Sequence, residues 1–339
     1  MGVSNDAPFF MTEETLKKTK KKIKISNLHE IGLLIALIIV LLLFSLTTEN
    51  FFTQRNFLSI LRSASYVGLI AFPMTFVLIT REIDISVGPA VAWSGVFFAM
   101  LIKWYDFSYF NAALIVLLWG LFTGYFIGIA RTKLFIPTFI TTLALWSALR
   151  GYSLFVTDGR PIALSNKPFR EFYGGDFLSM PTVTWMMLIM FLVFWFCSRY
   201  TVMGTNIYAV GGNPKAARSI GINVDKIKII TLMVTSFFSA LVGILYVARV
   251  SSGNATTGEG MEFDVIAAVV VGGTALGGAV GTMTGTLMGV LFIAMISNGL
   301  IHWGVDPDLN KVVKGLIIFL AVVINSNVTF KNNSGPKED

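Results

Sequence analysis

The sequence has little of what a water-facing surface needs. Charged residues make up 13% of the chain against 55% hydrophobic, and the mean hydropathy is +0.73, so a soluble surface for 339 residues cannot be assembled. A single cysteine, Cys197, excludes an intrachain disulfide, and two histidines leave no cluster with metal-ligand spacing. No G-x-x-x-x-G-K-[ST] run occurs, so the glycine-rich segments are not a nucleotide-binding P-loop. The first 30 residues contain no apolar region, which argues against a cleavable signal peptide and for an uncleaved anchor in the first span. The net charge of +7 would suggest nucleic acid in a soluble protein. Here the Lys and Arg lie in loops beside apolar spans, where they set orientation, and nucleic acid is discounted as a partner.

What remains is an all-α, polytopic membrane protein. About 20 apolar residues cross a bilayer as a helix, and on that scale ten spans are expected. They lie near Ile31–Leu46, Phe57–Thr80, Val87–Ile102, Ala112–Ala130, Ile136–Val156, Val183–Cys197, Ile229–Val247, Asp264–Leu276, Thr282–Ile301 and Val312–Ile324. The uncharged run Val265 to Ile301 is too long for one crossing and is expected to turn inside Gly277 to Thr282. Lys17 to Lys24 holds six lysines, a cytoplasmic marker with affinity for anionic lipid. The resulting organisation is a basic cytoplasmic tail over 1–29, a membrane domain over 30–327 and a cytoplasmic tail over 328–339. Spans 2–5 and 7–10 stand five apart, so if they are repeats they are inverted. Asp84 opens the third span and Asp264 the eighth, which is the only sequence support for the repeat.

One long polar interruption, residues 199–228, divides the hydrophobic halves. Gly211-Gly212 is read as breaking whatever precedes it. Asn213 is a good N-cap with Pro214 at the first helical position, Lys215 to Ile220 gives about two helical turns, and Gly221-Ile222-Asn223 is the stop. So short a helix needs a packing partner. A partner protein and the lipid surface, with Lys215 and Arg218 on headgroups, both fit.

Elsewhere, Asp84 with Ser86 reads either as a helix N-terminus held by the dipole or as a pathway carboxylate. Asn298 reads as an interhelical hydrogen-bonding group or a pathway group, and Trp93 as an interfacial anchor or a stacking platform. Gly281, Gly285 and Gly289, spaced four apart, favour close helix approach. The outer loop from Asp158 to Pro181 carries Arg160, Lys167 and Arg170 and is long enough for a docking surface. No ionisable residue except Arg62 is expected well inside a span.

Four segments resemble the ribose-type permeases of ATP-binding-cassette (ABC) importers. They are IDISVG around Asp84, LFIPTFITTLALWSALRG from Leu134, GTNIYAVGGNPKAARSIGINV from Gly204, and FDVIAAVVVGGTALGG from Phe263. Arg81-Glu82 replace the small residues that usually precede the first of these, and Pro89 follows its final glycine. The resemblance implies the permease subunit of an importer for a sugar or sugar-like solute in a bacterial inner membrane, with both termini cytoplasmic. It implies no catalysis and no cofactor in this chain, ATP and magnesium being used by a separate ATPase subunit. It also implies an extracytoplasmic sugar-binding protein, and a second copy or a related permease as the other half of a dimer. The ATPase would be met by Gly204, Gly211, Gly212, Asn213, Pro214, Lys215, Ala216, Ala217, Arg218, Gly221 and Asn223. The alternative of another class is an ion-coupled secondary transporter of a small polar solute.

Overall fold

A computed structural model describes residues 13–165, 167–306, 308–317, 319, 320 and 323, with side chains from Glu30 onward and excepting that of Lys167. In chain order the helices are α1 (Glu13–Thr47), α2 (Gln54–Ile79), α3 (Val87–Lys103), α4 (Tyr109–Thr132), α5 (Thr138–Thr157), α6 (Lys167–Gly174), α7 (Thr182–Tyr200), α8 (Val202–Gly212), α9 (Pro214–Ser219), α10 (Val224–Val250), α11 (Met261–Val271) and α12 (Met283–His302). Residues 308–317 are helical as well. Four two-residue strands lie in the loops. β1 (Ile162–Ala163) pairs antiparallel with β4 (Ser252–Gly253), tying the outer loop to the end of α10, and β2 (Asp176–Phe177) pairs with β3 (Met180–Pro181).

Among the described residues, seven helices are long and apolar enough to cross a membrane: the Glu30–Thr47 part of α1, then α2, α4, α5, α7, α10 and α12. α3 is apolar but has 17 residues. α11 has 11, which at roughly 1.5 Å per residue reaches about half of a ~30 Å hydrocarbon core. The expected tenth span falls partly outside the described residues, as do the 328–339 tail and the side chains of Lys17 to Lys24.

α11 ends earlier than the sequence run suggested. Gly273 takes φ +90°, Gly273 N–H bonds to Val270 and Thr274 N–H to Val269, which is the left-handed glycine cap that closes a helix. The connection to α12 therefore spans 272–282 rather than 277–282. α11 and α12 lie almost backbone to backbone: a Cβ on Gly285 would come within 2.0 Å of the Gly272 carbonyl oxygen, the close approach that small residues permit.

α2 is the central helix, with 83% of its apolar window buried, whereas α1 with 11% lies on the outside. α2 packs on α7, α10, α11 and α12. A buried hydrogen bond of 2.8 Å between the Thr75 and Thr286 hydroxyls joins it to α12, satisfying two polar groups where water is absent.

Candidate functional site: the central loop and the non-helical segments

The central loop folds into two helices rather than one. Thr201 caps α8 by accepting from Gly204 N–H at 3.2 Å, and Gly204 lies close on the Cys197 carbonyl of α7. Gly211-Gly212 do not break this helix: they are its last two residues, and neither has a positive φ. The break comes at Asn213, whose backbone is extended at φ −152°. Its side chain accepts from Lys215 N–H at 3.0 Å and Ala216 N–H at 3.1 Å, with Pro214 at the first position of α9. Gly221 at φ +86° closes α9, with Ile222 N–H on the Ala217 carbonyl, and Asn223 caps α10 through Lys226 N–H at 2.9 Å. Ala217 is buried, while Lys215, Ala216, Arg218, Ser219 and Ile220 are exposed. Arg218 pairs with Asp225 at 2.9 Å on the surface, so it is not a lone charge, and such exposed pairs contribute little stability.

α8 is fixed to the bundle by Arg81. α2 ends in the same cap geometry, Arg81 N–H to Leu78 and Glu82 N–H to Val77, but an arginine takes the left-handed position at φ +64°. Its guanidinium donates to the carbonyl oxygens of Gly211 at 2.7 Å and Gly212 at 2.8 Å. Those carbonyls have no intrahelical partner at a helix C-terminus, where a cation is also favoured by the dipole. Tyr208 donates to the Gly281 carbonyl at 2.8 Å, and burial pushes its hydroxyl up to about 12.

Glu82 follows directly and is 4% exposed. Its carboxylate accepts from Arg131 of α4 at 2.8 Å, from Thr138 of α5 at 2.8 Å and from Lys228 of α10. A buried carboxylate is tolerable when paired and hydrogen-bonded in this way. Arg131 and Lys228 also line a hollow of about 450 Å³ beside α9, with Pro214, Lys215, Arg218 and Phe135.

From Glu82 the chain is non-helical as far as Ser86, where α3 starts. α5 holds this strap by a polar stripe at every fourth residue. Thr138 accepts from Ile83 N–H and Thr142 from Ile85 N–H, both at 3.3 Å. One turn on, Trp146 donates to Glu262 at 2.9 Å, and Arg150 then donates to the carbonyls of Ala255 and Thr257. A second non-helical segment, 254–260, is thus fixed by the same face of the same helix. Backbone away from regular helix survives inside a membrane protein when it is packed in protein and its groups are bonded, and in the strap Glu82, Asp84 and Ser86 are buried.

Among the pathway residues expected, Asp84 and Ser86 are together. Asp84 is fully buried and accepts from Ser86 N–H at 2.8 Å and Ser86 Oγ at 2.6 Å, while its second oxygen has no hydrogen-bond partner among the described residues. Trp93 is buried, stacked on Phe97 at 5.4 Å between centroids. Asn298 stands apart near the end of α12 and donates to Asn56 of α2 at 2.9 Å, beside His302. Arg160 and Arg170 are exposed on the outer loop, and the Lys167 side chain lies outside the described residues. The buried acids Asp84 and Glu262 stand just before α3 and in the first turn of α11, at span ends rather than well inside a span. Arg62 is partly exposed and pairs with Asp176, whereas Asp84 and Glu262, 0% and 2% exposed, lie inside the bundle. Glu262 is the second residue of α11, which starts three residues before the span expected from Asp264.

A family described as branched-chain amino acid transport system / permease component matches residues 56–322. The chain is 41% identical to the probable ABC transporter permease protein YphD of Escherichia coli (strain K12), over 92% of this chain and 93% of the relative. It is 38% identical to the ribose import permease protein RbsC of the same organism, over 86% and 92%. The chain belongs to the ribose-type sugar ABC permeases. Identity to the L-arabinose ABC transporter permease protein AraH of Azospirillum brasilense is 32%, over 87% and 86%. No solved structure matches the chain. In this permease the capped α9, the strap 82–86 and the buried acids therefore belong to a transport subunit rather than to an enzyme.

Proposed function

We propose that the chain is the membrane permease of an ATP-driven, binding-protein-dependent importer for a sugar or sugar-like solute. One observation carries the reading: α9 is closed at both ends by its own side-chain and glycine caps, yet it is six residues long and presents an exposed face. A helix of that length is not stable in isolation and is suited to seating in another protein. A cytoplasmic ATPase subunit is the partner proposed for it, using ATP and magnesium that this chain does not bind. Arg160, Lys167 and Arg170 on the outer loop are proposed to meet the sugar-binding protein. Asp84, Ser86, Trp93 and Asn298 are proposed for the solute path. A second permease copy or a related permease is proposed as the other half of a dimer.

In this reading the domain spans 30–327 with both termini cytoplasmic in the inner membrane. Ten segments then traverse or enter the bilayer, α3 and α11 as the short ones. The non-helical strap before α3 and segment 254–260 before α11 support an inverted relation of spans 2–5 to spans 7–10.

The buried carboxylates Asp84 and Glu262 favour the second reading, an ion-coupled carrier, since such carriers use acids inside the bundle. Reconstitution into vesicles separates the two. Uptake that requires ATP and the ATPase subunit, and ignores an imposed proton or sodium gradient, is the expected outcome. Uptake driven by the gradient without ATP supports the carrier.

A further inference from the structure

Glu82 stands where the central loop, the strap and three helices meet. We propose that Glu82 is a positioning residue that ties the movement of α9 to the strap 82–86 and α5. This rests on the importer reading above.

A continuous path of direct contacts leads through it. The N-cap of α9, Asn213, directly follows the two residues whose carbonyls Arg81 holds. Arg81 is followed by Glu82, bonded to Thr138 at the start of α5. The next residues are bonded along α5 through Ile83 and Ile85. A shift of α8 and α9 against the bundle must pull on Arg81, and the Glu82 carboxylate decides whether the strap and α5 follow. Its two cations come from the C-terminal end of α4 and the N-terminal end of α10, so it also fixes α5 against those helices.

A merely structural pair makes a different forecast. Replacing a buried ion pair with apolar groups of similar volume is often neutral for stability, whereas removing one partner leaves an uncompensated charge. The neutral double variant Glu82→Gln/Lys228→Met therefore separates stability from transmission, because it removes the stranded lysine along with the carboxylate.

The test uses the whole permease with its ATPase subunit in vesicles, in a Cys197→Ser background carrying Ser147→Cys on the exposed face of α5. The probe is the rate of maleimide labelling at position 147 with and without ATP, alongside ATP hydrolysis and thermal melting. In the parent, ATP is expected to change the labelling rate. In Glu82→Gln and in the double variant this ATP effect is expected to be lost while hydrolysis continues, with the double variant melting closer to the parent than the single one. An ATP effect that survives in Glu82→Gln, or returns in the double variant together with stability, overturns the proposal. So does failure of both variants to assemble, which would make Glu82 a folding residue. Labelling of the parent that does not respond to ATP instead contradicts the importer reading itself.

Discussion

The Arg81 guanidinium donates to the Gly211 carbonyl at 2.7 Å, so the residue that ends α2 also closes α8. A left-handed arginine costs about 1–2 kcal/mol, and hydrogen bonds from a charged donor return roughly 1.5–3 kcal/mol. Arg81→Gly relieves the first and loses the second. Global melting is expected to change by at most about 1 kcal/mol-equivalent, while amide exchange at 211–217 accelerates. Unchanged exchange there would show that Arg81 does not hold α8.

Adjacent glycines are expected to respond oppositely. A Cβ at Gly211 would lie 2.0 Å from the Ile79 carbonyl oxygen, whereas one at Gly212 meets nothing within 4 Å. Gly211→Ala should destabilise by about 1–3 kcal/mol through overpacking and displace α8. Gly212→Ala, in a helix and in open space, should be neutral or slightly stabilising. Parallel melting curves with both variants check the contrast, and equal losses would place the tight contact elsewhere.

Tyr208 gives a pH signature. Its hydroxyl is held protonated by burial, up to about 12, against about 10 for a free tyrosine. A raised acid stabilises the fold fully below the unfolded value, and that share is lost as pH climbs from about 10 towards 12. Tyr208→Phe should flatten the alkaline fall in stability over that window, measured as the difference between two melting series. Parallel curves would contradict the buried Tyr208–Gly281 contact.

Asn298 donates to Asn56, whose oxygen also meets His302 at 3.0 Å. Asn298→Leu is expected to cost about 1 kcal/mol for the lost hydrogen bond and to lower the transport rate without reordering substrates. Competition assays with a set of sugars read the ranking, and a reversed ranking would mean that this polar cluster selects the solute.

The central loop was the most legible part of the chain because its signals are local. Asn213, Pro214 and Gly221 each impose a backbone geometry on their own neighbours, and the structure has those geometries. The polar stripe Thr138, Thr142, Trp146 and Arg150 was written in the sequence at fourfold spacing inside an apolar run, but its partners are non-helical segments that composition reads as ordinary loops. Glu82 was visible only as a departure from the family pattern. Its three partners lie 49, 56 and 146 positions away, and no local rule brings them together. Gly211-Gly212 misled because a glycine pair signals a helix stop only when nothing else caps the helix. Here Arg81 supplies the cap from another part of the chain. The short α11 escaped the hydropathy scale because Gly272-Gly273 end it within an uncharged run that continues unbroken.

Whether α9 faces an ATPase on the cytoplasmic side is decided most directly by a thiol placed on it. In a Cys197→Ser background, Lys215→Cys and Ser165→Cys put single thiols on the exposed central loop and the exposed outer loop. With intact cells, an impermeant maleimide is expected to label position 165 and spare 215, and in membranes a short bifunctional crosslinker is expected to join 215, not 165, to the ATPase subunit. Labelling of 215 from outside, or a crosslink to the ATPase from 165 in its place, would contradict the assignment of α9 as the coupling element.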